Sequence, residues 1–283
     1  MLSRSKLIAR LITTQSVPQT ELSEGSRMFW NKVADWYIKY NHENSTKMYE
    51  TMASFLRLDK ANKVIDAGCG SGNGVEAMKK FASPNTNFTL VDISDVFVEK
   101  ARAANPGVEV YQQDAESLSF HDATFDVYIS NGLLEIVKKP DWVVSEAYRV
   151  LKPGGVASFS IYGRMGICNT LRIYKSIRNK LGIKRGTAEP RFELADPEKV
   201  KALVKSIGFK RACYFYEQYH FNVIDPKDIF GMYLDNPVLR EGAKHIGKSH
   251  EFENLVKQEL EEILFEKEEP LIYEALVVTA YKD

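Results

Sequence analysis

Strand-like and helix-like patterns alternate along most of this chain. "KVIDAG", "NFTLVD", "VEVYQQD" and "FDVYIS" are short, mainly apolar runs of the kind buried in a sheet. Between them lie "GVEAMKKFA" and "DVFVEKARAA", whose apolar positions recur at helical spacing. "PDWVVSEAYRVL" is a further helix, and Lys152-Pro153-Gly154-Gly155 reads as its terminator. "VASFSIYG" follows as a fifth strand, "DPEKVKALVKSIGF" as a helix and "RACYFYEQYHFNV" as a sixth strand. A helical stretch over about 226–269 leads to a closing strand, "LIYEALVVTAY". Seven strands with helical crossovers imply an α/β fold and a mainly parallel sheet. Ahead of them, "FWNKVADWYIKY" and "YETMASFLRL" read as two amphipathic helices. The expectation is one domain over 21–283, with a helical N-terminal extension and helical insertions at about 164–190 and 225–270.

Composition narrows the partners. Thirty-eight basic side chains balance thirty-eight acidic ones, so no nucleic-acid partner is expected. Cys69, Cys168 and Cys213 lie far apart with no CxxC pair, which argues against a disulfide framework or a metal site and for a reducing compartment. No run approaches the roughly 18 apolar residues of a membrane span.

The chemistry concentrates at "VIDAGCGSGNG", Val64–Gly74, where a strand turns into a helix. Glycines at 68, 70, 72 and 74 leave bare backbone for a ligand to touch. The dinucleotide spacing G-x-G-x-x-G fails: counted from Gly68 the sixth position is Asn73, and from Gly70 it is Val75. The phosphate-loop motif fails too, because no Gly-Lys pair follows.

What remains is Asp66-x-Gly68-x-Gly70-x-Gly72, which resembles the cofactor loop of class I S-adenosylmethionine-dependent methyltransferases. The likeness runs on through residues 111–160, which resemble the ubiquinone/menaquinone-biosynthesis-type subgroup, type 11. The resemblance implies a Rossmann-like fold, S-adenosylmethionine as cofactor and S-adenosylhomocysteine as product. It implies cofactor contacts from Tyr37, Asp66, Gly68, Gly70, Gly72, Asp92, Ile93, Asp114, Ala115 and Asn131. Asp92 would receive a ribose diol and Asp114-Ala115 the adenine. A sulfonium cation favours such acids at the carboxyl ends of strands. The chain departs from the subgroup in Ser130-Asn131-Gly132-Leu133-Leu134-Glu135-Ile136, where Glu135 replaces a histidine.

The acceptor side is less defined. Glu135 and Tyr162 are the candidate catalytic groups, with a solvated acid and a core-capping tyrosine as their plainer roles. Tyr40 joins Tyr37 as an aromatic of the N-terminal segment, His121 falls in a polar turn, and His220 reads as a core histidine. The expected activity is methyl transfer to a small molecule such as a quinone or lipid precursor. An inactive subunit or assembly factor of a mitochondrial complex, and a protein methyltransferase, stay open as alternatives.

Two segments bear on location. Residues 1–20 carry Arg4, Lys6 and Arg10, hydroxyl residues and no acid, which resembles a mitochondrial import presequence; otherwise a cytoplasmic protein is expected. Residues 164–185 carry seven basic side chains and no acid. On a helix, Leu171, Tyr174, Ile177 and Leu181 share one side and Arg172, Lys175 and Arg178 another, the pattern of a helix lying on an anionic membrane or of a solvated lid.

Overall fold

The computed structural model describes residues 21–184, 192–221 and 227–283. The presequence reading, residues 1–20, lies outside them. Helix α1 spans Glu21–Ser54. It is one continuous helix where the sequence pattern suggests two, because side chains from both halves are held by tertiary contacts. Its second half buries Met48, Tyr49 and Met52 in the core. Its first half is tied at the surface, by Arg27 to Asp95 at 2.6 Å and by Trp36 Nε1 to the Met232 carbonyl at 2.8 Å.

The central elements follow the predicted order. They are β1 Lys63–Ala67, α2 Gly74–Lys79, β2 Asn87–Asp92, α3 Asp95–Ala104, β3 Glu109–Gln112, β4 Phe125–Asn131 and α4 Pro140–Val150. Then come β5 Leu151–Tyr162, α5 Asn169–Leu181, α6 Pro197–Ile207 and β6 Arg211–His220. Helices α7 Lys227–Leu234, α8 Pro237–His245 and α9 Ser249–Glu261 precede β7 Ile272–Tyr281. The seven strands form one sheet in the order β3-β2-β1-β4-β5-β7-β6. β7 runs antiparallel to both neighbours, and the other pairings are parallel. Strand order reverses between β1 and β4, so a crevice opens at their carboxyl ends.

Lys152-Pro153-Gly154-Gly155 sits inside β5 rather than ahead of it. Phe125 pairs with Leu151 but Val127 with Val156, so the four residues form a bulge. The Lys282 carbonyl accepts the Gly154 N–H at 2.6 Å, which keeps the bulge in the sheet.

The basic insertion is folded into the molecule. Helix α5 buries Ile173, Ile177 and Leu181 against α7, α8 and α9, a face rotated from the predicted one. Its flank is neutralised by the second insertion: Arg172 pairs with Glu269 at 2.7 Å and Lys180 with Glu259 at 2.6 Å. Arg178 is buried rather than solvated. The apolar face that would have to enter a lipid surface is therefore covered by protein. Ahead of α5, Arg164 grips the buried carboxylate of Glu274 through its Nε and Nη2 at 2.9 and 2.7 Å. Arg164→Ala leaves that carboxylate with only Gln218 and a backbone N–H. A loss of about 2 kcal/mol in urea denaturation is expected, discounted because the guanidinium is half exposed.

Candidate active site

The crevice holds a cavity of about 250 Å³. Its floor is the turn after β1, where Gly68, Gly70 and Gly72 all adopt positive φ. Gly70 is the telling case. It has φ +54°, a Cβ there would meet only Phe97 at 3.9 Å, and its N–H donates to Asp92 Oδ2 at 2.9 Å. The Asp92 Oδ1 accepts the Ser94 N–H at 2.9 Å. One carboxylate thus ties the loop after β1 to the end of β2. Burial pushes its pKa up to about 6, with the N–H groups of Ser94 and Gly70 restraining the rise.

Gly74 serves packing instead. A Cβ there would fall 2.7 Å from the Tyr49 ring, whose hydroxyl donates to Asp66 Oδ1 at 3.0 Å. Gly74→Ala is expected to destabilise the protein by about 1–3 kcal/mol, because overpacking outweighs the gain of roughly 1 kcal/mol in helix propensity. A thermal midpoint at or above wild type would contradict this.

Of the residues expected at the cofactor, Tyr37, Gly68, Gly70, Asp92, Ile93, Asp114, Ala115 and Asn131 line the cavity. Asp66 and Gly72 do not. Asp66 is fully buried behind the loop; burial raises its pKa to about 8, the Tyr49 bond opposes the rise and the Asp92 charge adds to it. Its Oδ2 has no hydrogen-bond partner. Gly72 is buried, and a Cβ on it would strike Ala101 and Asn105 of the α3 segment. Asp114 is half-buried at the opposite end, and its Oδ1 accepts the Glu116 N–H at 2.9 Å.

The sequence reading missed much of the wall. Trp30, Tyr37 and Phe97 pack together with centroids 5.9–6.3 Å apart and form an aromatic side. Trp142 closes the Asp114 end with Lys139 Nζ 3.5 Å above its ring. The signal for Trp30 was its spacing of seven from Tyr37, two helical turns on one face. Nothing local marks Trp142 as a cavity residue.

Glu135 and Tyr162 lie outside this cavity. Glu135 is not a solvated acid: it is fully buried, and neither oxygen has a hydrogen-bond partner. Burial raises its pKa to about 8, although the N–H groups of Glu135 and Tyr162 are near enough to restrain it. Tyr162 stands at the end of β5, 5.6 Å from the Tyr273 ring. Tyr40 bonds Asp235 away from the cavity, and His121 and His220 are exposed, so His220 is not a core histidine.

Residues 65–159 match a sequence family described as Methyltransferase domain. Two relatives extend the match. 2-Methyl-6-phytyl-1,4-hydroquinone methyltransferase 1, chloroplastic, of Oryza sativa subsp. japonica is 44% identical over 97 residues, 34% of this chain and 29% of that enzyme. The Ubiquinone/menaquinone biosynthesis C-methyltransferase UbiE of Ectopseudomonas mendocina is 28% identical over 223 residues, 71% of this chain and 87% of that enzyme. The match thus takes in less than a third of the rice protein's length. Among solved structures, a SAM-dependent methyltransferase from Archaeoglobus fulgidus superposes with a TM-score of 0.55 at 17% identity, covering 87% of this chain and 98% of the other. Haemonchus contortus phospholethanolamine N-methyltransferase 2, bound to phosphomonomethylethanolamine and S-adenosylhomocysteine, gives 0.57 at 16% identity, covering 94% of this chain and 61% of that one. These two structures establish the fold alone. The 65–159 segment, about a third of the chain, thus resembles a methyltransferase domain.

Proposed function

We propose that the protein transfers a methyl group from S-adenosylmethionine to a small molecule of the quinone or lipid-precursor kind. One observation carries the reading: a glycine floor that no side chain fills, with the carboxylates of Asp92 and Asp114 facing the same cavity from its two ends. Asp92 and Asp114 face the cavity, Asp66 keeps an unpartnered oxygen just behind it, and among the described residues Lys138 and Lys139 are the lysines on its wall. Such a site suits a cationic nucleoside and not a pyrophosphate. Asp92 would hold the ribose diol with the lone pairs its two N–H bonds leave over. Asp114 and Ala115 would hold the adenine, and the Trp30–Tyr37–Phe97 wall would exclude water. The bound cofactor supplies an already activated methyl group, so the protein's main task is alignment. The presequence-like composition of residues 1–20 is what favours a mitochondrial site of action. Among the described residues no helix is long and apolar enough to cross a membrane.

Calorimetry with both nucleosides tests the reading. Cofactor affinity should rise with pH through about 6, as Asp92 ionises, and again toward 8, as Asp66 does. The slope should approach tenfold per pH unit at most, because each bound cation displaces up to one proton. S-adenosylhomocysteine, without the sulfonium charge, should show a shallower slope. Equal slopes for the two, or no binding of either, would count against this function.

A further inference from the structure

The two edges of the sheet are built differently. β3 ends one side and is only four residues long. β6 ends the other with ten residues, each in register with β7 and with no bulge among them. Among the described residues no strand pairs with its outer side. Folded proteins usually blunt such an edge with lysine, proline, a bulge or a short strand, because its free N–H and C=O groups template another strand. β6 has none of these devices.

Hydrogen bonds fix which backbone groups point outward. The Phe221 N–H donates to the Leu271 carbonyl at 3.0 Å, so the next pair, His220 and Ile272, exchanges no bonds. The Ile272 N–H accordingly donates to Asn169 Oδ1, at 2.7 Å. Alternation along the strand then directs the N–H and C=O groups of Ala212, Tyr214, Tyr216 and Gln218 at the open edge. The odd-numbered side chains share the face that meets the end of α1. There the Tyr219 hydroxyl lies 2.8 Å from that of Thr51, and Phe215 packs on Phe55 with centroids 4.6 Å apart. Phe55 is 56% exposed. Arg211 and Glu217 lie on this same face.

We infer that this edge pairs with the same edge of a second copy, making a two-fold dimer whose sheet runs on from one copy into the other. Antiparallel self-pairing must set outward-directed residues opposite one another, so its register moves only in steps of two. One register sets charge against charge. With the two-fold axis at Tyr214, the two Tyr214 residues exchange backbone bonds, and Ala212 does so with Tyr216 of the partner subunit. Arg211 then faces Glu217 of the partner subunit, twice by symmetry, at positions where paired strands bring side chains closest. One step to either side Arg211 would face a tyrosine or a phenylalanine, and the charge match is lost. Arg211 Nη2 donates to Asp283 at 2.9 Å, which leaves other guanidinium N–H groups for the joint. The two Phe215 rings come to diagonal positions across the joint, within reach of one another, with the exposed Phe55 rings beside them. No residue of β6 lines the cavity, so the joint and the proposed activity are independent.

Sedimentation of the full chain over a concentration series is the test. The wild type should form a dimer that dissociates on dilution. Arg211→Glu alone sets acid against acid at both ends of the joint, and Glu217→Arg alone sets base against base. Each should raise the dimer dissociation constant about tenfold or more, because like charges directly opposite repel where unlike ones attract. Mixed one to one, the two variants should dimerise with each other, since each end of the joint then holds one acid and one base. Neither a damaged fold nor the lost Asp283 pair would produce that rescue. Wild type oxidised with copper phenanthroline should not cross-link through Cys213, which faces Phe215 of the partner subunit in this register. A wild type monomeric up to its solubility limit, variants that dimerise as the wild type does, or a mixture that stays monomeric would each overturn the inference. A dimer linked through Cys213 would place the register one step away and overturn the charge pairing.

Discussion

Replacing Asp92 with alanine is expected to weaken S-adenosylhomocysteine binding at least a hundredfold without unfolding the protein. Two losses combine. The N–H groups of Gly70 and Ser94, both at 2.9 Å, lose the acceptor that fixes the loop after β1 against the end of β2. The ribose diol loses its acceptor at the same time. Hydrogen bonds to an ionised group contribute about 1.5–3 kcal/mol each, so losing two of them exceeds a hundredfold. Asp92→Asn keeps one acceptor oxygen and should fall between. The fold should survive, because the hydrophobic clusters on both sides of the sheet do not depend on this side chain. Calorimetry at pH 8 is the measurement, and a decrease smaller than fivefold for the alanine variant would remove Asp92 from the proposed role.

Glu135→Gln is expected to stabilise the protein at alkaline pH and to leave it nearly unchanged near pH 4.5. Burial raises the carboxyl from an ordinary value of 4.5 to about 8. Between these values the folded state holds a proton that the unfolded state releases, so stability falls as pH rises through the window. Below pH 4.5 both states are protonated and the penalty is absent. Above pH 8 it is complete, and three and a half units correspond to roughly 3–5 kcal/mol at most. Glutamine cannot ionise and escapes the penalty. Chemical denaturation at pH 4.5, 7 and 9 would reveal a difference that grows with pH; a constant offset would mean that Glu135 does not titrate in this window.

Both expectations turn on groups whose chemical type was plain in the sequence and whose surroundings were not. Asp92 ended an apolar run, and strand ends in a parallel sheet face the ligand crevice, so its placement followed from pattern alone. Glu135 carried no such cue. A glutamate four residues past a strand reads as solvated, yet the folded chain encloses it completely. The basic stretch at 164–185 was equally illegible in its local context. Its partners, Glu259, Glu269 and Glu274, lie 79 to 110 residues further on, if measured from Lys180 to Glu259 and from Arg164 to Glu274, beyond any local pattern.

The alternation of strands and helices, the glycine turn and its spacing, and the aspartates at strand ends were determined by the sequence itself. They rest on local rules: side-chain periodicity, the backbone freedom of glycine and the direction of parallel strands. The tertiary structure decided which charges are paired, which acid lies beneath the surface, that α1 is one helix with an aromatic face on the cavity, and that Asp66 stands behind the loop. Those outcomes depend on which distant segments meet, and the free energy of a charge is set by its surroundings in space rather than by its neighbours along the chain.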